Sequence, residues 1–281
     1  MFKYAVNCAF EPLGASWPTV LRGTIEENIH DAAKIGYDGL ELFMRNPKEQ
    51  NAAYIKRLGD DAGISFAAIS TGLEYTLNGF CLIDENSAKR AAAIDRLKEH
   101  IDFAAEIKSC VIAGIMRGNI PDFAQKDKYY GYLSEALVTV CDYAKACGVN
   151  IVVEAIIRYI NNYLCTVPET VDYLHSLKKD NLGIHIDSHH MNVEDSDIRN
   201  ATLYCGDSLK YVHFSDSNRA YPGSGSFDFK TMMNTLMDMD YRGYITVECP
   251  PLPTSLDCAD RALRYMKHLQ ALIEIERLPL C

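Results

Sequence analysis

The chain has 281 residues, of which 48% are hydrophobic and 23% are charged, and its formal net charge is −10. This composition is ordinary for a folded globular protein, and the length suits one large α/β domain or two small ones. Proteins that bind nucleic acid need basic surfaces that replace phosphate counterions, whereas here 38 acidic residues face 28 basic ones. We therefore expect a small-molecule partner and no nucleic acid.

Three features of the sequence bear on where the protein works. The first ten residues, MFKYAVNCAF, lack the layout of a signal peptide. No apolar run approaches the roughly 20 residues that a membrane helix needs. The ten cysteines include no CxxC pair, and so many unpaired cysteines without a secretory signal are typical of a reducing compartment. We expect a cytoplasmic protein with no membrane partner.

Short apolar runs alternate with longer segments of helical period along the whole chain. The predicted strands are 4–8, 39–43, 64–70, 110–115, 150–154, 182–187, 209–214 and 244–247. The predicted helices are 25–35, 54–62, 86–107, 130–147, 168–177, 196–204, 229–239 and 256–276. After the third strand we predict a polar, glycine-containing loop that extends to Asp84.

Eight strand–helix units without a linker predict an α/β protein with a (β/α)8 TIM barrel, as one domain over residues 1–281. A doubly wound sheet is the alternative. That fold usually has fewer strands and a glycine-rich phosphate fingerprint, and neither GxGxxG nor GxxxxGK[ST] occurs here. We therefore favour the barrel.

Four polar residues end four successive predicted strands: Glu154, Asp187, His213 and Glu248. The carboxyl ends of barrel strands form the active-site face, so the four side chains are expected to meet there. Strand alternation agrees, because the outward-facing neighbours are all apolar, namely Val153, Ile186, Val212 and Val247. Each residue alone is more typical of a loop, a helix cap or the core. Together, three carboxylates and one imidazole predict a site for Mn²⁺ or Mg²⁺ that could also accept Co²⁺.

Four segments carry a resemblance to a known family. They are VVEAIIRY (152–159), IDSHHMNVED (186–195), VHFSDSNRAYPGSGSFDF (212–229) and GYITVECP (243–250). They resemble the sugar isomerase and epimerase superfamily with the xylose-isomerase-like barrel, in particular the ketose 3-epimerases that act on D-tagatose and D-psicose. The third segment is the most specific, and weaker similarity extends over nearly the whole chain.

The resemblance implies one divalent metal per chain, with Mn²⁺ expected. The residues that match the family's metal ligands are Glu154, Asp187, His213 and Glu248. Glu154 and Glu248 also match its acid/base pair, while His190 and Arg219 match residues that bind the sugar near its carbonyl end. In the implied reaction one glutamate removes the C3 proton of a ketose and the other returns a proton to the opposite face of the enediolate. We expect a small-molecule sugar as substrate and a homodimer or homotetramer.

One segment departs from the family pattern. After the first ligand the family usually has Asn-Arg-Tyr/Phe-Glu, whereas this chain keeps Arg158 and Tyr159 between Ile157 and Ile160. The family's glutamate contacts the sugar near O1 and O2, so its loss makes that wall apolar. The metal ligands are unaffected, and proton transfer is expected to survive. The substrate stays open between a different ketose, a keto-sugar derivative and an aldose–ketose pair.

Two further functions are compatible with such a barrel. One is a metal phosphodiesterase of the endonuclease IV type, which holds three metals and needs more histidine and carboxylate ligands. The other is a carbohydrate-binding or assembly subunit without catalytic activity.

Three more residues are candidates for a lid or for support of the ligands. Trp17 lies in the loop after the first strand and either caps the sugar or packs against a loop or a partner subunit. Glu41 ends the second strand and either contacts a sugar hydroxyl or contributes to stability. His185 is expected to be a hydrogen-bonded core histidine near the ligands.

Overall fold

The structure, a computed structural model, describes residues 2–14 and 16–278. Its strands all run parallel and are β1 (Lys3–Ala9), β2 (Leu21–Arg22), β3 (Gly39–Phe43), β4 (Ser65–Ser70), β5 (Cys110–Ala113), β6 (Ile151–Glu154), β7 (Leu182–Asp187), β8 (Leu209–Phe214) and β9 (Tyr244–Val247). Eight of them close into a barrel in the order β1, β3 and on to β9, because β9 pairs back onto β1. The short strand β2 pairs with the end of β1. The predicted TIM barrel is confirmed.

Helices surround the barrel. They are α1 (Ile25–Ile35), α2 (Ala52–Ala62), α3 (Gly72–Asn78), α4 (Ser87–Ile107), α5 (Lys126–Ala146), α6 (Val167–Ser176), α7 (Ser188–Glu194), α8 (Ile198–Tyr204), α9 (Phe229–Asp238) and α10 (Ser255–Glu276). Helix α1 shows how local sequence sets these bounds. Thr24 and Glu27 form a reciprocal capping box at its start, and Gly36 ends it with a φ of 100°.

The eight predicted barrel strands are all present, but the predicted loop after the third strand is wrong. Residues 72–78 of that segment form α3, which begins without a side-chain cap and ends at Gly79. Tertiary contacts stabilise this helix instead, because Leu73 and Glu74 are fully buried. Helix α7 was also missed. Both short helices follow directly on barrel strands and help to form the active-site end.

The predicted division of strand side chains between the two faces of the barrel is confirmed. A small interior cluster contains Val152 and Tyr211 together with Ile112. The outward-facing residues belong to the larger core between strands and helices, and they include Val153, Ile186, Val212 and Val247. Alternation along each strand therefore directs the residues at the strand ends into the barrel mouth.

No helix in the described part of the chain has the length and apolar character needed to cross a membrane. The nine cysteines within that part are all free thiols. Several, including Cys8 and Cys141, are completely buried and pack as small apolar residues.

Arg117 is a fully buried cation that connects two loops at the active-site end. Its guanidinium donates hydrogen bonds to the carbonyl oxygens of Glu154, Tyr163 (3.2 Å) and Leu164 (3.1 Å). The backbone at the end of β6 is thereby fixed to the segment that precedes α6.

Substituting Arg117 with methionine should preserve side-chain volume but remove these donors. We expect the free energy of unfolding to fall by roughly 3 kcal/mol or more, because buried carbonyls left unsatisfied cost about 1–3 kcal/mol each. Urea denaturation measures this change. The matched control is Arg242→Met at an exposed arginine whose single ion-pair partner among the described residues is Asp240. Equal unfolding midpoints for the two variants would contradict the structural role of Arg117.

Candidate metal centre and active site

Four side chains meet at the mouth of the barrel, and each comes from the end of a different strand. The donor atoms of Glu154, Asp187, His213 and Glu248 all lie within 4.8 Å of one another. The strand register places them at one depth, because Asp187 pairs with His213 across β7 and β8. A second possible group, Glu154 with His185 and His213, shares two of these residues and marks the same place.

The donor set fits a divalent metal. Nδ1 of His213 is buried and has no hydrogen-bond partner among the described residues. It lies 3.8 Å from Oδ2 of Asp187 and 3.5 Å from Oε2 of Glu248. These distances are too long for hydrogen bonds but suit atoms arranged around a shared cation. That the four residues bind a metal stays a prediction.

Glu41 orients the histidine of this cluster from below. Its Oε2 lies 2.6 Å from Nε2 of His213 and accepts a hydrogen bond of 2.8 Å from the Tyr211 hydroxyl. Because Nε2 faces this carboxylate, Nδ1 is the nitrogen that points to the cluster. Glu41 is fully buried and is not among the residues that line the cavity, so in this geometry its observed role is to support His213.

Arg219 bridges two members of the cluster. Its guanidinium donates to Oδ2 of Asp187 at 2.7 Å and also to Oε2 of Glu248. The same side chain lines the cavity. Arg219 therefore both lines the cavity and neutralises part of the carboxylate charge, and its sugar-binding role stays a prediction.

The loop after β8 is built around a buried carboxylate. Asp216 accepts hydrogen bonds from the backbone N–H groups of Ser217 (2.7 Å), Gly223 (2.8 Å) and Phe227 (3.0 Å). Its own backbone closes the turn at Arg219, whose φ of 62° is left-handed. Asp216 thus sets the backbone conformation from which Arg219 reaches the cluster.

The two glutamates of the cluster have opposite pKa shifts. Burial, followed by the charge of Glu248, raises the pKa of Glu154 to about 8. Burial also acts to raise the pKa of Glu248, but His213 and Arg219 outweigh it and lower that pKa. For Asp187 too, burial is outweighed by Arg219 and neighbouring histidines, so its pKa lies well below the usual range. Before any cation binds, the environment therefore favours the protonated form of Glu154 and the ionised forms of Glu248 and Asp187.

The three other histidines near the cluster differ in their surroundings. His190 lines the cavity with Nε2 3.5 Å from Oε1 of Glu154, and burial lowers its pKa to about 3, so the ring is neutral. His189 instead lies 3.2 Å from the carbonyl oxygen of Asp216. His185 is buried and its ring packs edge-on against His213 at 4.1 Å, but neither ring nitrogen has a hydrogen-bond partner among the described residues. The expectation of a hydrogen-bonded core histidine is therefore wrong in that respect.

The cluster opens into a cavity of about 190 Å³, measured as the space open to the centres of water molecules. Its lining residues are Trp17, Pro18, Phe43, Ser70, Gly72, Thr76, Ile112, Gly114, Ile115, Glu154, Ile156, Ile160, His190, His213, Arg219 and Glu248. Trp17 packs edge-on against Phe43 with ring centroids 6.0 Å apart, so this lining residue also contacts a neighbouring side chain.

The contact between Glu41 and His213 was not predicted from the sequence. A carboxylate within the apolar run GLELF was its only local signal. The partner lies 172 residues away, and only the closure of the barrel brings the two together.

Replacing Glu41 with glutamine should weaken binding of Mn²⁺ by about 10- to 100-fold, the usual effect of losing a carboxylate that orients a ligand histidine. Isothermal titration calorimetry measures this affinity directly. Tyr211→Phe is the matched control, because it removes the other donor to Glu41 and leaves the contact with His213. An unchanged dissociation constant in a folded Glu41→Gln protein would contradict the orienting role.

Comparison with known proteins places this site in a family. The model of the xylose isomerase-like TIM barrel family matches residues 29–272. L-ribulose 3-epimerase of Methylomonas sp. (strain DH-1) is 30% identical over 260 residues, which cover 85% of this chain and 89% of that protein. Ketose 3-epimerase of Arthrobacter globiformis is 29% identical over 226 residues, covering 80% and 77%. The crystal structure of D-allulose 3-epimerase from Methylomonas sp. in complex with D-allulose superposes with a TM-score of 0.80 at 25% identity, covering 95% and 96%.

These similarities extend over the barrel and are not confined to one motif. The family model spans most of the chain, and the curated relatives named above are ketose 3-epimerases, which are isomerases. The chain therefore belongs to the xylose isomerase-like TIM barrel family and is an isomerase of the ketose 3-epimerase group.

Proposed function

We propose that this protein epimerises a ketose at C3, with Glu154 and Glu248 as its acid/base groups. The observation that carries the proposal is that both glutamates line one cavity from β6 and β9, with two barrel strands between them. That separation around the barrel lets them approach a bound sugar from different sides. Epimerisation needs this arrangement, because a proton leaves one face of the reacting carbon and another returns to the opposite face.

The reaction would depend on a divalent metal ion, with Mn²⁺ preferred to Mg²⁺ or Co²⁺. The residues that would hold it are Glu154, Asp187, His213 and Glu248. When bound, the ion supplies Lewis-acid stabilisation for negative charge that develops on the ketose oxygens. Glu41 keeps the ring of His213 aimed at this position through its contact with Nε2.

The chain's own groups then move the proton. Glu248, whose pKa is lowered, would remove the C3 proton in one direction of the reaction. Glu154, whose pKa is raised, would deliver a proton to the other face. The roles exchange in the reverse direction. Carboxyl groups with separated pKa values suit such a division of acid and base.

The remaining polar residues of the cavity would bind and enclose the sugar. His190 lies beside Glu154 and Arg219 beside Glu248, and both would donate hydrogen bonds near the carbonyl end of the sugar. Trp17, supported by Phe43, would cover the sugar and exclude water from the enediolate. The proposal includes a homodimer or homotetramer that works in the cytoplasm, where the free cysteines would stay reduced.

Glu248→Gln and Glu154→Gln should each lower turnover by about 10²- to 10⁴-fold, the usual contribution of a general acid or base. The assay incubates ketoses in D2O and locates deuterium by NMR. Wild-type protein should incorporate it at C3. Glu276→Gln, at an exposed glutamate paired with Lys230, is the control and should keep full activity.

The position of the exchanged hydrogen tests the alternatives. Deuterium at C1, with aldose formation, would replace the proposal with an aldose–ketose isomerase. Tight sugar binding without exchange under any of the three metals would instead indicate a subunit without catalytic activity.

Metal removal should be visible without any assay of activity. A ligand at 100 times its dissociation constant stabilises a folded protein by about 2.7 kcal/mol, so chelation should lower the melting temperature and Mn²⁺ should restore it. Asp187→Asn should largely lose this shift. Elemental analysis should find one ion per chain, whereas three would favour the endonuclease IV type of site.

A further inference from the structure

One sector of the cavity wall presents no hydrogen-bonding side chain apart from Glu154. It lies above β5 and β6, next to that glutamate. Its side chains are Ile112, Ile115, Ile156 and Ile160, which we call the isoleucine wall. Gly114, the remaining lining residue of this sector, adds no side chain.

The isoleucine wall begins beside the acid/base carboxylate. A Cβ atom built on Gly114 would lie 3.2 Å from Oε2 of Glu154, 3.7 Å from Ile112 and 3.9 Å from Ile156. The side chains of Ile112 and Ile156 therefore lie close to Oε2 of Glu154, because all three are within 4 Å of the same point. A substrate whose reacting carbon approaches Glu154 would therefore lie next to this wall.

Ile160 is the exposed part of this wall, and its backbone is held in place. Its carbonyl oxygen accepts a hydrogen bond from Asn119, and its N–H donates to the carbonyl oxygen of Ile157 at 2.9 Å. Nearby, Arg158 is fixed by hydrogen bonds to Glu194 through its backbone and its guanidinium. Ile160 is 48% exposed, so a substrate meets an apolar surface already in position.

The structure separates the two isoleucines that replace polar residues of the family pattern. Ile157 is 4% exposed and does not line the cavity, whereas Ile160 does. Tyr159, between them, is 80% exposed and also lies outside the lining. Of residues 157–160, Ile160 alone lines the cavity and can contact a substrate.

Two hydroxyl side chains line the cavity beside one end of this wall. They are Ser70, which pairs with Ile112 across β4 and β5, and Thr76, on the helix whose Gly72 lies next to Ile115. The Thr76 hydroxyl already donates to the carbonyl oxygen of Gly72 at 2.8 Å. A hydroxyl packed against Ile156 or Ile160, on the β6 side of the wall, would lose water partners and find no replacement in these two isoleucine side chains.

We propose that the substrate is a deoxyketose, with a methyl group against the isoleucine wall where an ordinary ketose has a hydroxymethyl group, and that Ile160 determines this preference. The inference rests on the proposed C3 epimerisation. The methyl group can be C1 or the last carbon of the ketose, and in either case Ile160 would contact a methyl group.

The test measures kcat/KM for deuterium exchange with D-allulose, D-tagatose and their 1-deoxy and 6-deoxy analogues. For at least one sugar we expect a deoxy analogue to exceed its parent by about 10- to 100-fold, the discrimination an apolar pocket achieves against an added hydroxyl. A preference for the 1-deoxy analogue would place C1 against the isoleucine wall, and a preference for the 6-deoxy analogue would place C6 there. Ile160→Gln should abolish or reverse the preference, mainly through KM.

Tyr159→Gln is the matched control, since it adds the same amide one residue away and outside the cavity; it should leave the preference unchanged. Exchange that favours every parent ketose over its deoxy analogues would overturn the inference and leave the epimerase intact. A deoxy preference that survives in Ile160→Gln would overturn the role of Ile160. No exchange with any of these sugars would overturn the proposed function together with this inference.

Discussion

The rest of the site depends on a concentration of buried negative charge at one end of the barrel. Glu154, Asp187 and Glu248 converge there, and Glu41 lies directly beneath them. Burying ionised groups costs several kcal/mol each unless opposite charges or hydrogen bonds compensate. Arg219 supplies one fixed positive charge to this group. Burial, together with the remaining negative charge, raises the pKa of Glu154, and the same excess of negative charge suits the site to a divalent cation.

The surrounding structure serves to keep these charges at defined positions. Parallel strands bring the carboxylates to one depth, and the carboxylate of Asp216 organises the turn from which Arg219 extends. Beneath the cluster, the contact between Glu41 and His213 selects the ring nitrogen that faces upward. Each support is itself buried and hydrogen-bonded, so the geometry of the cluster is set before a substrate arrives.

Much of the fold was predictable because the spacing of apolar residues along the sequence indicates strands and helices locally. Apolar runs and helical segments of the expected lengths predicted the barrel, and the shared position of four strand ends predicted which side chains would meet. Helix α3 was missed because it has no cap signal and is held by the burial of Leu73. The contacts of Glu41 with His213 and of Arg117 with the carbonyl of Glu154 join distant parts of the chain, and periodicity carries no information about such pairs.

In the proposed reaction, the acid/base carboxylate Glu154 and the substrate-selecting residue Ile160 lie only six residues apart at the end of β6. Glu154 is secured through its carbonyl by Arg117, while Arg158, near Ile160, is secured by Glu194. Because these anchors are separate, a new side chain at position 160 need not displace the carboxylate that handles the proton. If the two proposed roles hold, a single substitution at position 160 would change the preferred sugar of such a barrel while its proton chemistry is inherited.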